Sequence, residues 1–281
     1  MVEITHPALK QGRAAVITGG ASGIGFATAE RLAAIGMRLC IVDIGGELGE
    51  AADALKRAGA SDVMTAEVDV SDPAMVGTLS GDVLRRFGDV ALLMNNAATG
   101  GGGKPYENPE GWRRVIDVNL MGPLNGIQAF VPAMIEHKQA AVVVNTGSKQ
   151  GLTSPPGDFA YNVSKAGLKT LTEGLAYSLR QIDGCRVTAH LLIPGFTYTG
   201  MMKRHFATKP AGAWDPVQVA DALFAGLAAG SFYILCEDDE TPRALDEKRI
   251  LWSAGDIVHD RPALSRWHPD HKAAFEDFVR S

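Results

Sequence analysis

A chain of 281 residues, 46% hydrophobic and 21% charged, has the composition of a folded protein with a substantial core, which excludes wholesale disorder. Its formal net charge of -5 argues against nucleic acid as the main partner, because binding a phosphate backbone needs a basic face. Cys40, Cys185 and Cys236 are far apart and odd in number, so they match neither a zinc spacing nor a disulfide framework. Cys40 and Cys236 sit in apolar runs and read as reduced, buried thiols. No uninterrupted apolar stretch of about 18 residues reads as a membrane span. The opening MVEITHPALKQGR lacks the basic-then-apolar pattern of a secretory signal, so a cytoplasmic protein without membrane contact is expected.

From Arg13 onward, short apolar runs alternate with longer amphipathic ones. The pattern predicts a strand over 14–18, a helix over 23–36, a strand over 38–43, a helix over 46–58, a strand over 62–68 and a helix over 72–87. Strands over 90–95, 140–146, 186–193 and 231–236 follow, with helices over 108–137, 158–182 and 215–229 between them. Asp72-Pro73 is a strong helix start, a capping residue followed by proline at the first helical position. Most strand runs are apolar on both faces, as strands between two helical layers must be. The order implies an α/β fold: one domain with a doubly wound, parallel sheet of about seven strands. Its core is expected over about 10–236. Residues 194–213 escape the alternation and read as a mobile loop at the carboxyl edge of the sheet, where ligands bind in such folds. Residues 237–281 form an extension with a helix expected near 241–254, and Trp252, Trp267, Phe275 and Phe278 should pack on the body or on another subunit. Asp183, Asp238 and Asp239 read as solvated turn residues, and His268 and His271, split by Pro269, as surface histidines.

The first strand runs into TGGASGIG, residues 18–25, and then a helix. Gly19, Gly23 and Gly25 permit a tight turn and close approach to a pyrophosphate, with Ser22 and Ile24 at the helix amino end, where N–H groups and partial positive charge meet an anion. A plain strand–helix connection is the alternative. The second strand ends at Asp43, placed to accept hydrogen bonds from both adenosine ribose hydroxyls and to repel a 2′-phosphate. No Arg or Lys stands in the turn, so the reading is NAD rather than NADP; Asp43 could instead cap the next helix. Asp69, with the Val70 backbone, could hold the adenine edge or cap a helix. Asn96, Ala97 and Ala98 end the fourth strand with residues small enough for a cofactor to lie against, and the Asn95 amide could pair with neighbouring backbone.

Tyr161 and Lys165 are four apart in YNVSK, which stacks them on one helix face. A lysine ammonium beside a phenol favours phenolate, making a usable base near neutral pH. Ser148, 13 residues upstream and just after a strand, could reach the same point. Asn119 falls inside a long helix, where a polar side chain needs a reason: a water-linked path from Lys165, or an amide satisfied by neighbouring backbone.

Taken in order, TGGASGIG, Asp43, Asp69-Val70, NNAA (95–98), Asn119, Ser148, YNVSK (161–165) and Pro194-Gly195 followed by Thr199 resemble the short-chain dehydrogenase/reductase family over about residues 10–236. The resemblance implies a Rossmann fold and an NAD-dependent oxidoreductase interconverting a secondary alcohol and a ketone. It implies Tyr161 as general acid/base, Lys165 on the nicotinamide ribose, Ser148 on the substrate oxygen and Asn119 holding a relay water. It further implies Pro194 and Gly195 beside the nicotinamide, and Thr197 and Thr199 at the carboxamide or pyrophosphate. Phe196, Tyr198 and Met201 would then close over the substrate. The tail resembles, faintly, that of Cα-dehydrogenases of lignin-derived aryl ethers, which implies a bulky, hydrophobic or aromatic substrate. Long apolar helices imply a homodimer or homotetramer. Two other readings stand beside this one: an NAD(H)-sensing regulator without turnover, and a same-fold dehydratase or epimerase.

Overall fold

Runs that are apolar at every position can lie only where both faces are covered. In the computed structural model, which describes residues 3–45, 47–203, 206–239 and 241–281 apart from the Lys203 side chain, they do. The strands are β1 (Ala14–Thr18), β2 (Arg38–Asp43), β3 (Asp62–Glu67), β4 (Leu92–Asn95), β5 (Ala141–Thr146), β6 (Val187–Ile193) and β7 (Tyr233–Leu235). All pair in parallel, in the order β3-β2-β1-β4-β5-β6-β7. The helices are α1 (Gly23–Ala34), α2 (Leu48–Arg57), α3 (Pro73–Phe87), α4 (Pro109–Ile116), α5 (Gly122–Glu136), α6 (Gln150–Thr153), α7 (Phe159–Arg180), α8 (Gly200–Lys203), α9 (Pro216–Ala228), α10 (Arg243–Val258) and α11 (Lys272–Arg280).

Side chains alternate across a strand, so one strand feeds two cores. Ala15, Ile17, Leu39 and Ile41 pack with Leu32 of α1, Leu55 of α2 and Leu223 of α9 on one face. Ala14, Val16, Cys40 and Val42 pack with Val83 of α3, Phe130 of α5 and Leu179 of α7 on the other. Burial pushes the Cys40 and Cys236 thiols up to about 12, as inert core residues. The strand order reverses between β1 and β4, and the crevice at their carboxyl ends is where a doubly wound sheet receives ligands. Among the described residues no helix is long and apolar enough to cross a membrane.

Some expected positions cannot be compared, and elsewhere the expected and observed elements differ. Gly46, the expected start of the second helix, lies outside the described residues, as do Arg204 and His205 of the loop and Glu240 of the extension. The single helix expected over 108–137 is interrupted by a π-helical turn, Asp117–Met121. Pro123 has no N–H to give the Asn119 carbonyl four residues back, and Gly122 N donates instead to Asp117 O, five back. The loop over 194–213 carries α8 and is fastened at its base: Tyr198 N donates to Trp214 O (2.8 Å) and Trp214 N to Phe196 O (2.8 Å). The extension holds two helices, α10 and α11, which share a small core. Trp252 lies 5.4 Å from both Phe275 and Phe278, and its Nε1 donates to Ser265 Oγ at 2.8 Å.

Candidate active site

Gly19 and Gly23 adopt φ of +61° and +55°, the left-handed region that a side chain strains to enter. At Gly25 the reason is space: a Cβ would stand 2.3 Å from Gly19 O and 2.8 Å from Asn96 Nδ2. Ser22 is the N-cap of α1 in extended conformation, and its side chain makes no capping hydrogen bond. The first turn of α1 also carries no acidic residue, so its donors face no built-in competitor for an anion. Asp43 does not cap α2. Its Oδ2 accepts from Ala21 N (3.2 Å) and its Oδ1 from Ile44 N (2.9 Å), which ties the end of β2 to the glycine turn.

The neighbouring strand ends are stitched by amides. Asn96 Nδ2 donates to Thr18 O and Gly19 O, both at 3.1 Å, while Thr18 Oγ1 accepts from Asn96 N (2.9 Å) and Ala97 N (3.1 Å). Asn95 pairs with a side chain rather than with backbone, donating to Asn145 Oδ1 at 2.8 Å, and Asn145 donates to Thr172 Oγ1 at 2.9 Å. Asp69 turns back on Ser71, accepting from its N (2.9 Å) and Oγ (2.7 Å); Asp72 is the residue that caps α3. Val70 O accepts from Asn125 Nδ2 at 2.9 Å, which holds that peptide against α5. Ala98 follows in the same irregular segment.

Asn119 is fully buried in the π turn. Its amide is used up: Oδ1 accepts from Thr99 N (2.8 Å), and Nδ2 donates to Thr99 O (2.8 Å) and Ser164 Oγ (3.1 Å). The side chain therefore anchors the segment after β4 to the helix pair. What Asn119 leaves without its α-helical donor is its main-chain carbonyl.

Ser148, Tyr161 and Lys165 converge where β5 and α7 meet. The Tyr161 phenol and the Ser148 hydroxyl are hydrogen-bonded, and Ser148 Oγ also accepts from Gln150 N at 3.2 Å. Lys165 Nζ lies 5.5 Å from the Tyr161 ring centroid and donates to Thr146 O at 2.7 Å. Burial pushes the Lys165 ammonium down to about 7. Burial likewise pushes the Tyr161 phenol above its ordinary value, with Asp158 adding to the rise and the Ser148 hydrogen bond opposing it. The lysine does not lower the phenol as expected: burial drives both groups toward their neutral forms.

The loop after β6 closes the crevice. Pro194 is buried, and Lys149 N donates to its carbonyl at 3.2 Å. Thr199 lies over the glycine turn, since a Cβ on Gly23 would meet its side chain at 3.4 Å. Thr197 is buried and its hydroxyl donates to Gly195 O (3.2 Å), so it braces the loop from within. Phe196 stacks edge-on with Phe206 at 5.9 Å, Tyr198 Oη donates to Phe206 O at 3.1 Å, and Met201 is half-buried in α8.

Several residues that hold this site went unread in the sequence. Asp158 caps α7 at Tyr161 N (3.3 Å) and also accepts from Gly101 N (2.6 Å) and Gly103 N (3.2 Å). An acid at the first position of the predicted helix, 158–182, was the available signal. Asp238 is not a solvated turn residue. It is 8% exposed, and its carboxylate meets Lys149 Nζ at 2.9 Å and Phe196 N at 3.4 Å. Asp246 of α10, also buried, meets the same ammonium at 2.5 Å. Asp239 accepts from Trp214 Nε1 at 3.1 Å. Burial alone would raise the Asp238 carboxyl, but Lys149 and Thr241 outweigh it and hold it below the ordinary range; at Asp246 burial wins and the carboxyl is raised. Gly195 is packed into this cluster, where a Cβ would stand 2.5 Å from Asp238 Oδ2 and 2.8 Å from Lys149 Nζ.

The model of the short chain dehydrogenases matches residues 13–210. The chain belongs to the short-chain dehydrogenase family. It is an oxidoreductase of that family, and its relatives extend beyond the matched segment. It is 34% identical over 247 residues to the 1-deoxy-11-beta-hydroxypentalenate dehydrogenase of Streptomyces avermitilis, an alignment covering 85% of this chain and 89% of that one. Among solved structures, a short-chain dehydrogenase/reductase from Burkholderia phymatum in complex with NAD superposes with a TM-score of 0.82 at 34% identity, covering 90% of this chain and 97% of that one. A metagenomic short-chain oxidoreductase in complex with NADP superposes with a TM-score of 0.68 at 28% identity, covering 81% and 97%.

Proposed function

We propose that this short-chain dehydrogenase is an NAD-dependent enzyme that interconverts a secondary alcohol and a ketone on a bulky, hydrophobic or aromatic substrate such as an aryl carbinol. The observation that carries the reading is the convergence of Ser148, Tyr161 and Lys165 on one point of the crevice that opens beside the glycine turn. The turn fits a dinucleotide: two glycines in left-handed conformation, a third with no room for a Cβ, and a helix amino end with no side-chain cap. Ser22, Gly23, Ile24 and Gly25 would hold its pyrophosphate and Asp43 its adenosine ribose. Lys165 would hold the second ribose, with the Pro194-Gly195 turn and Thr199 on the far side. A carboxylate at the end of β2 favours ribose hydroxyls over a 2′-phosphate, which supports NAD; relatives are described with NAD and with NADP.

When bound, the nicotinamide supplies the hydride acceptor or donor. The chain's part is orientation and proton transfer. In alcohol oxidation Tyr161 Oη takes the hydroxyl proton, and in reduction it returns one to the developing alkoxide. Ser148 Oγ holds the reacting oxygen as its charge changes. The Lys165 ammonium stabilises the phenolate, each charge offsetting the burial that by itself opposes both charged forms. Phe196, Tyr198 and Met201 stand at the loop that would cover an apolar substrate. Met121, Val163 and Tyr177, on the π turn and α7, expose apolar surface suited to a homodimer or homotetramer contact.

The test is NADH formation from a panel of aliphatic, steroidal and aryl secondary alcohols, with NAD and NADP in parallel and Tyr161→Phe as control. Tyrosine-dependent turnover of the aryl or steroidal class with NAD is the expected result. Turnover only of small aliphatic alcohols would overturn the substrate class. Undiminished turnover in Tyr161→Phe would overturn the mechanism, and NADH binding with no turnover in either direction would leave a sensor.

A further inference from the structure

A second opening lies between α6 and the carboxyl-terminal extension. This cavity of about 300 Å³ is lined by Lys149, Asp246, Arg249, Ile250, Arg266 and Trp267 among others. Tyr161, Ser148 and Lys165 do not line it. Its size admits roughly ten non-hydrogen atoms, at about 30 Å³ for each water-sized group.

The charges around it do not balance. Lys149 is satisfied twice over, by Asp238 and Asp246. Arg249 donates from Nη1 to Thr241 Oγ1 (3.1 Å) and reaches Asp246 only at 3.9 Å, while its Nε is buried without an acceptor. Arg266 lies over the Trp267 and Phe275 rings at 4.7 and 5.1 Å. Among the described residues its guanidinium makes no hydrogen bond and no close ion pair, and the Asp246 carboxylate acts on it only from a distance. Three cations therefore share two carboxylates. The imbalance also shows in Arg266 itself, whose guanidinium is pushed down to about 10 by burial and by the charge of Arg249, with Asp246 only partly opposing them. A half-buried, unpaired guanidinium is costly, and its planar fork of donors matches a carboxylate. The rest of the wall is mixed: Leu152, Pro155, Leu235, Ile250 and Trp267 are apolar, and Gln150 and Thr153 are polar.

We propose that this cavity is a binding site for a small organic monocarboxylate, its carboxylate held by Arg249 and Arg266 and its apolar body against Ile250 and Trp267. The site is distinct from the reaction crevice and does not rest on the proposed reaction. Because Lys149 lines it and follows Ser148 in the chain, the two sites are one residue apart in sequence.

The experiment is isothermal titration of the whole chain with hexanoate and, separately, with its uncharged isostere hexanamide, in a buffer free of carboxylates. Hexanoate should bind with a Kd of about 1 mM or tighter and hexanamide at least tenfold more weakly. Arg266→Gln and Arg249→Gln should each weaken hexanoate by about tenfold or more. Tyr161→Phe and saturating NADH should leave it unchanged. Equal binding of acid and amide, or no binding of either, overturns the proposal. So does displacement by NADH, which would place the acid in the reaction crevice. If one arginine variant fails to fold, the other carries the mutational arm, and the acid–amide comparison on the unaltered chain stands by itself.

Discussion

Two lysines, the buried Lys165 in the reaction crevice and the half-buried Lys149 under the extension, are handled in opposite ways. Lys149 is 16% exposed at its side chain and has carboxylates on two sides, at 2.9 and 2.5 Å. Lys165 is 3% exposed, has a single carbonyl at 2.7 Å, and its ammonium is pushed down to about 7. A buried charge with its counter-charges is a clasp that fixes geometry. A buried charge without them is held against its solvation preference, which is how sites keep a group ready to change protonation state. The clasp joins three distant segments: the residue after Ser148, the Pro194-Gly195 turn and α10. The contrast separates the part of the molecule that reacts from the part that holds it still.

The contrast can be broken at either lysine. Lys165→Met should lower turnover by about 10²- to 10⁴-fold while making the folded chain more stable by about 1–3 kcal/mol at pH 7. The sign follows from the lowered pKa. The unfolded lysine holds its proton up to about 10.5 and the folded one only to about 7, so the cost of burying it is complete below pH 7 and disappears as pH rises toward 10.5. Urea unfolding at pH 7 and pH 10 should show the variant's advantage shrinking; an advantage that grows with pH would contradict the assignment. Lys149→Met should do the reverse, costing about 3–5 kcal/mol by leaving Asp238 buried without its counter-charge and Asp246 with only Arg249 at 3.9 Å. Asp238 would lose the partner that holds its carboxyl down, and Asp246 is already raised, so lowering the pH from 7 toward 5 should narrow the deficit. Adding Asp246→Asn to Lys149→Met should recover part of it in the same unfolding assay.

Smaller effects sharpen the comparison on the cofactor side. Gly25→Ala forces a Cβ to within 2.3 Å of Gly19 O, so it should weaken NADH, measured by fluorescence titration, at least tenfold and destabilise the fold by about 1–3 kcal/mol. Asp43→Ser removes the carboxylate while retaining a hydroxyl. It should shift the NAD-to-NADP preference by about tenfold toward NADP, read as a ratio of kcat/KM values, with little change in stability. An unchanged ratio would remove Asp43 from cofactor discrimination.

The glycine turn, the parallel doubly wound sheet and the Tyr161–Lys165 pair were legible because each rests on a local pattern: close-spaced glycines, short runs apolar on both faces alternating with amphipathic ones, and an i,i+4 spacing; the order of the strands in the sheet came only from the structure. Asn119 was legible as a position, with a backbone-satisfied amide as one of its two readings, but its partners were not. The amide is consumed by Thr99 and Ser164, 20 and 45 residues away, and the π turn comes from Pro123 acting on the helix before it. Asp238 read as solvated because acids at the end of a strand usually are. Its burial depends on Lys149, 89 residues earlier, which nothing in the local pattern connects to it. The sequence by itself determined the fold class and which side chains could do chemistry, since these follow from backbone periodicity and short-range spacing. Only the tertiary structure decided which charges are paired and which are stranded, because desolvation and counter-charge depend on residues that the chain brings together from far apart.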